Sequence, residues 1–237
     1  MQFSHPLLAG RLLRRYKRFL ADVELDSGEI ITAHTANTGA MSGCSEPGSS
    51  VWLSVSDNPK RKYPHNWEIV EVAPGVLCGI NTLLSNQLVS EAIAAGQVPE
   101  LKGYTHIRHE VPYGEERSRI DLLLEATETA TPCYVEVKNV TLAEQGVALF
   151  PDAKTVRGAK HLRELARVVE HGARAVIFYC VQRNDCREFR PAETIDAIYT
   201  QTLREAMKKG VEAIAYQADV SVTGICLAKA IPVCVKT

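Results

Sequence analysis

Apolar positions along the chain change their spacing once, near residue 80. Before that point they fall in short runs separated by turn residues. Arg11 to Leu25 mixes polar and apolar residues, and Asp26-Ser27-Gly28 makes a turn before Glu29 to His34. A Gly- and Ser-rich stretch from Thr38 to Ser50 leads into Val51 to Val55, and Trp67 to Val72 alternates again. Several short strands without a helical period predict a small barrel or sandwich, and a five-stranded barrel of the OB type fits the length.

From about Asn81 the texture is helical, then mixed. Leu83, Leu84, Leu88, Ile93 and Ala94 recur near helical spacing, with Gly96 and Pro99 closing the element. Strands are expected at Thr105 to Pro112, Arg117 to Glu125 and Cys133 to Leu142. An amphipathic helix follows, with Leu162, Leu165, Ala166, Val168 and Val169 on one face and Gly172 past its end. Ala173 to Val181 is nearly all apolar, the pattern of a strand buried on both faces. A second helix, Thr194 to Lys209, places Ile195, Ile198, Leu203 and Met207 on its apolar side. Val211 to Gln217 and Gly224 to Val233 read as strands. The order implies an α/β (α+β) protein, with a small β-barrel over 1–80 and a mixed-sheet domain over 81–237.

Composition narrows the partners. The 237 residues carry 27 Lys and Arg against 28 Asp and Glu, so any polyanion site must come from local clustering. The longest uncharged stretch, Val72 to Ser90, holds Pro74, Gly75, Gly79 and several amides and would span no bilayer. The only apolar N-terminal run, Pro6 to Ala9, precedes its basic residues, the wrong order for a signal peptide. Seven cysteines without a CxxC pair, mostly in apolar runs, read as buried reduced thiols and suggest a cytoplasmic protein.

The candidate chemistry lies in Arg119-Ile120-Asp121-Leu122 and Val135-Glu136-Val137-Lys138. Alternation in a strand puts Glu136 and Lys138 on one face and Val135 and Val137 on the other. A hairpin turning at Glu128-Thr129 sets Asp121 directly across from Glu136, with Cβ atoms about 5 Å apart, close enough for two carboxylates to share a cation. Hard carboxylate oxygens without His or Cys favour Mg2+ or Mn2+ over zinc. Such a centre, assisted by Lys138, suits phosphodiester hydrolysis. Spacing alone leaves a second reading open, a solvated salt-bridge cluster of little energetic weight.

Several ordered blocks bear on that choice: Tyr16-Lys17-Arg18-Phe19, Asn37-Thr38-Gly39-Ala40-Met41, Lys60-Arg61-Lys62-Tyr63-Pro64 and Glu116 to Asp121. They continue with Glu136 to Leu142, Phe150-Pro151-Asp152-Ala153, Arg157-Gly158 and Lys160-His161-Leu162. Through them the whole chain resembles the sugar fermentation stimulation protein A (SfsA) family. Its second half resembles the PD-(D/E)XK nuclease superfamily, with Ile120 standing where that pattern has Pro. The resemblance implies an OB-like domain joined to a nuclease-like domain, and a sequence-nonspecific DNA-binding protein linked to sugar-metabolism gene expression. Asp121, Glu136 and Lys138 would then be catalytic, with Asp121, Glu136 and Glu91 as Mg2+ ligands and Glu110 a competitor for the third place. A non-catalytic DNA-binding regulator of sugar (maltose) metabolism genes, with a vestigial nuclease site, is the alternative.

DNA, single or double stranded, is the expected partner, and a dimer is compatible with the sequence. The expected contacts are Arg15, Lys17 and Arg18 in one acid-free run, Lys60, Arg61 and Lys62 in another, and Arg119, Arg157 and Lys160 around the centre. Arg119 reads equally as a structural ion pair, and Arg157 and Lys160 as a solvated helix face. Residues 1–80 hold 8 Lys and Arg against 8 Asp and Glu, so only one face of the barrel can be basic. His161 reads as a capping or pairing residue, and the tryptophans Trp52 and Trp67 as core more than as stacking platforms.

Overall fold

A computed structural model describes residues 1–126 and 131–235. The expected turn at Glu128-Thr129 lies outside these residues. The N-terminal half forms β1 (Leu8–Tyr16), β2 (Leu20–Leu25), β3 (Ile30–His34), β4 (Ser50–Val55), β5 (His65–Ala73) and β6 (Val76–Gly79). β1 pairs antiparallel with β2 and β4, β4 with β5, and β3 meets β5 in parallel at His34 and Asn66. That last contact closes five strands into the OB-like barrel. Leu12, Val23, Val51, Leu53 and Trp67 fill it, each without exposed surface. Gly10 lets β2 come close, because a Cβ there would meet Glu24 O at 2.5 Å.

The second half contributes α1 (Leu84–Ala94), a 3-10 turn (Pro99–Leu101), β7 (His106–Tyr113), β8 (Ser118–Glu125) and β9 (Cys133–Val140). Next come β10 (Leu142–Glu144), β11 (Val147–Phe150), α2 (Val156–Glu170), β12 (Arg174–Val181) and β13 (Glu188–Pro191). The chain then adds α3 (Ala197–Lys208), β14 (Glu212–Ser221) and β15 (Gly224–Ile231). The main sheet runs β15-β14-β12-β9-β8-β7, with β12 parallel to β9 and β14 and the outer pairs antiparallel. As its apolar run predicts, β12 is central and buried on both faces. Leu88, Val89 and Ala92 of α1 cover one side of the sheet, and Leu162 and Leu165 of α2 with Tyr199 and Leu203 of α3 cover the other.

Two features differ from the sequence reading. The β10-β11-β13 sheet was not foreseen, because its strands have only three or four residues and show little period. Ile198 is 74% exposed instead of facing the core. The Asp196 carboxylate caps α3 by accepting Tyr199 N–H at 2.9 Å, so the helix begins later and Tyr199, Thr200 and Leu203 set its buried side. None of the described helices is long and apolar enough to cross a membrane.

The barrel and the sheet share a packed seam. Barrel residue Ile69 belongs to the core under α1, and Gly79 N–H donates to Gln182 O at 2.9 Å. Asn81 donates to buried Glu68 of the barrel at 2.8 Å and accepts Leu83 N–H at 3.1 Å. The start of α1 is therefore fixed by the barrel, and α1 carries one wall of the site described next.

Candidate active site

The β8–β9 ladder pairs Leu124 with Cys133, Leu123 with Tyr134 and Leu122 with Val135, and the pairing ends there. Asp121 and Glu136 occupy the next rung. The Asp121 carboxylate accepts Val137 N–H at 2.7 Å on one oxygen and the Asn86 amide of α1 at 2.9 Å on the other. Side-chain alternation slips here: Ile120 packs on the α2 side of the sheet, yet Leu122, two residues on, packs on the α1 side. Opposite, Glu110 has a positive φ of 53° and is skipped in the β7–β8 pairing. The distortion leaves Asp121 half-buried in the parting between strands.

Glu136 and Lys138 share a face of β9, and the Lys138 ammonium reaches Glu136 Oε1 at 2.6 Å. His161 of α2 bonds the same oxygen through Nδ1, and its Nε2 receives Arg157 Nε–H at 3.3 Å. Glu136 is 2% exposed, so these three residues form a buried, charged cluster and not a solvated surface patch. Its second oxygen, Oε2, is buried and meets no donor among the described residues. Thr155 and Asp196 hold the beginning of α2 that brings His161 in: Thr155 accepts Gly158 N–H at 3.0 Å, and Asp196 accepts Thr155 N–H at 2.8 Å.

Electrostatics follow from this packing. Burial, then the charge of Glu136, push the Asp121 carboxyl up to about 6, against the pull of Lys138, Val137 N–H and Asn86. Burial works in the same sense on Glu136, but Lys138 and His161 together hold it below the usual range. Burial, followed by the carboxylates Glu136, Glu164 and Asp121, raises the Tyr113 phenol far above its ordinary value.

The donor set fits a small, hard divalent cation. Two carboxylates share one rung, one is destabilised by the other's charge, and a buried oxygen lacks a partner. Mg2+ asks for little more, since it keeps several waters and binds through one or two carboxylates. Among the described residues no three His, Cys, Asp or Glu side chains gather as a metal site. Glu91, the expected third ligand, is instead paired with the Met1 amino group at 2.9 Å and accepts from Gln87 at 2.7 Å. The α1 residue that does reach Asp121 is Asn86, and Glu110 is exposed. Asn86 escaped the sequence reading because an amide in the first turn of a helix resembles any end-of-helix polar residue.

The basic residues divide into committed and free. Arg15 donates to Arg18 O, Asn37 O and Gly39 O at 2.6, 3.1 and 2.9 Å, and Arg18 donates to Thr38 O at 2.8 Å. Their guanidinium groups satisfy a loop whose carbonyls have no strand partner. Arg61 donates to Asn66 at 2.8 Å, Arg119 to Glu110 O at 3.2 Å, and Lys160 to Glu116 O at 2.5 Å. Arg157 is exposed beside His161. Lys17, Lys60 and Lys62 are exposed and have no acidic partner among the described residues. Trp67 lies in the barrel core and Trp52 is partly buried.

Comparison with known proteins adds to this geometry. Residues 13–80 match the model of the SfsA N-terminal OB domain, and residues 83–224 match that of the sugar fermentation stimulation protein RE domain. A sugar fermentation stimulation protein homolog from Citrifermentans bemidjiense is 55% identical over 233 residues, covering 98% of this chain and 99% of that protein. The solved structure of Pyrococcus furiosus SfsA, in complex with Ca2+, superposes with a TM-score of 0.89 at 29% identity. It covers 98% of this chain and 97% of that one.

Proposed function

We propose, for a chain that belongs to the sugar fermentation stimulation protein family, a magnesium-dependent phosphodiesterase that acts on DNA bound without sequence preference. One observation carries this reading: Asp121 and Glu136 share the rung where β8 and β9 part, and buried Glu136 Oε2 lacks a donor among the described residues. Asp121 and Glu136 would hold the cation, and Mn2+ would fit the same oxygens. The metal, when bound, supplies Lewis-acid polarisation of a phosphate oxygen and a more acidic water. The Pyrococcus furiosus relative was solved in complex with Ca2+, an ion that takes oxygen ligands, which agrees with a hard-oxygen site.

The protein's own groups set up the rest. Asn86 and Val137 N–H fix the direction of the Asp121 carboxylate. His161 holds Glu136 Oε1 and leaves Oε2 for the cation. Lys138, anchored to Glu136 at 2.6 Å, presents a donor to the attacking water and to charge gathering on the phosphoryl oxygens. Lys17, Lys60 and Lys62 supply non-specific affinity by phosphate contacts, which must weaken as salt rises. The buried cysteines, none of them crosslinked, accord with a cytoplasmic setting.

A second reading, a DNA-binding regulator of sugar-metabolism genes with a vestigial site, draws on Glu91, the expected third acid, which pairs with Met1. Cleavage of labelled single- and double-stranded DNA with Mg2+, Mn2+ or chelator, wild type beside Asp121→Ala, separates the two. Metal-dependent cutting that disappears in the variant supports the hydrolase. Salt-sensitive binding without cutting by either protein supports the regulator.

A further inference from the structure

At the C-terminal end of β9 a cavity of about 220 Å³ lies at the seam of the two halves. Asn37 of the barrel, Thr82 before α1, Asn139 and Thr141 around the end of β9, and Phe150 and Asp152 before α2 line it. It uses residues next in sequence to those of the site on two elements, with Asn139 leaving β9 on the face opposite Lys138. Asn86 holds Asp121 while its neighbour Ser85 holds Asn139, and Asn139 directly follows Lys138.

The polar atoms facing this cavity have a definite sense. Asn139 Oδ1 accepts Ser85 Oγ–H at 3.0 Å and Gln182 Nε2–H at 2.6 Å, which leaves its amide nitrogen as a free donor among the described residues. Asn37 Oδ1 accepts Gly39 N–H at 2.9 Å, so its amide nitrogen is also a donor without a partner among the described residues. Asn37 is 5% exposed, so its amide is set into the fold and aimed by it. Asp152 accepts Met41 N–H at 3.0 Å on Oδ2 and keeps Oδ1 and further lone pairs open. Gly39 makes the approach feasible, since a Cβ there would crowd Asn37 and Asp152 at 3.0 Å each. Phe150 and aliphatic neighbours make an apolar wall.

Two amide donors, one carboxylate acceptor and an aromatic wall, in a volume below the roughly 300 Å³ at which drug-sized pockets begin, suit one planar base. A duplex would not enter. Guanine has the matching edges: O6 and N7 accept from amide donors, and its N1–H and N2–H₂ groups donate to a carboxylate. Adenine and the pyrimidines offer no donor pair that meets a carboxylate while two acceptors face amides. We propose that this cavity holds a guanine base of the nucleic acid whose phosphate is presented to Asp121 and Glu136. The inference rests on the nucleic-acid reading of the site and gives it a base preference.

Saturation-transfer NMR on the full chain with each of the four 2′-deoxynucleosides tests it in chelator. These probes carry no phosphate, so their binding is independent of metal and of cleavage. Deoxyguanosine should bind at least about tenfold more tightly than the other three. Asp152→Asn keeps an oxygen for Met41 N–H but replaces the open acceptor with a donor, and should erase the preference. Asn139→Asp keeps Ser85 and Gln182 satisfied, removes a donor, and should do the same. Equal signals from all four nucleosides, no binding at millimolar concentration, or a preference that survives both variants overturns the proposal. Cleavage without base preference would leave the hydrolase standing and remove the pocket. Deoxyguanosine preference without cleavage would keep the pocket and remove the hydrolase.

Discussion

The Asp121 carboxylate accepts the backbone N–H of Val137 at 2.7 Å, just beyond the Leu122–Val135 rung where the strand pairing ends. A side chain thus satisfies a main-chain donor that the parted strand no longer serves. The same bond holds a carboxylate against the charge of Glu136, a costly position unless a cation joins them.

That cost sets a pH-dependent stability. The folded Asp121 carboxyl is raised to about 6 from 3.8, so the group opposes folding once it ionises. Its penalty is absent below the unfolded value, grows as pH rises through the window between the two, and is complete above about 7. Two pK units correspond to about 3 kcal/mol. Asp121→Asn should therefore melt higher than wild type at pH 7.5 in chelator, by several degrees, and match it near pH 4. Thermal melts across pH 4 to 8 measure this, and a constant difference would contradict the assignment.

Metal should offset this penalty. A cation held by Asp121 and Glu136 adds stability as its concentration passes its dissociation constant, about 2.7 kcal/mol at a hundredfold excess. For a chain of this size that amounts to about 5–11 °C. The shift with Mg2+ or Ca2+ should be large at pH 7.5, shrink at pH 5.5 as Asp121 takes up a proton, and vanish in Asp121→Asn. An unchanged shift in that variant would place the metal elsewhere.

Lys138→Met separates chemistry from binding. Its ammonium touches Glu136 but is not among the oxygen donors, so the metal-induced melting shift should persist. Cleavage should fall by about 10²–10⁴-fold, the range for a lost proton-transfer or charge-stabilising group. Gel assays of labelled DNA beside the melting curves give both readouts.

Gly114→Ala tests how the β7–β8 turn is seated. Gly114 has φ of 72°, and a Cβ there would collide with the buried carboxylate of Glu164. Glu164 in turn accepts Arg167 at 2.8 Å and Glu116 N–H at 3.3 Å. The substitution combines left-handed backbone strain with a clash at a buried charge, and should cost about 3 kcal/mol or more. Urea denaturation should show a lower midpoint with an unchanged slope.

Free and committed cations should differ in DNA binding. Replacing Lys17, Lys60 and Lys62 together with Ala should lower the slope of log affinity against log salt by up to about 3 for duplex DNA, with stability unchanged. Arg15→Ala should instead loosen the turn at Arg18 and the loop at Asn37 to Ala40, whose carbonyls it holds, and register mainly as a lower melting temperature. Salt titrations by fluorescence anisotropy, beside melting curves, distinguish the two.

Much of this protein was open to reading along the chain. Alternation marked β8 and β9, and hydrophobic continuity marked β12 as the buried centre of the sheet. The spacing of Glu136 and Lys138 put them on one face. Each of these features concerns residues within a few positions of one another, where strand and helix periods translate directly into inside and outside.

What only the tertiary structure decided depends on contacts between distant segments. The parting of β8 from β9 turned an ordinary cross-strand pair into a buried, half-satisfied one. Glu91 and Asn86 lie on the same helix, yet the fold commits Glu91 to Met1 and sends Asn86 to Asp121. Arg15 of the first strand went to loop carbonyls more than twenty residues away. Asp152 reached Met41 across 111 positions to close the seam cavity. A side chain's chemistry is written in its type, but its partner is chosen by packing, and packing is settled only when the whole core has formed.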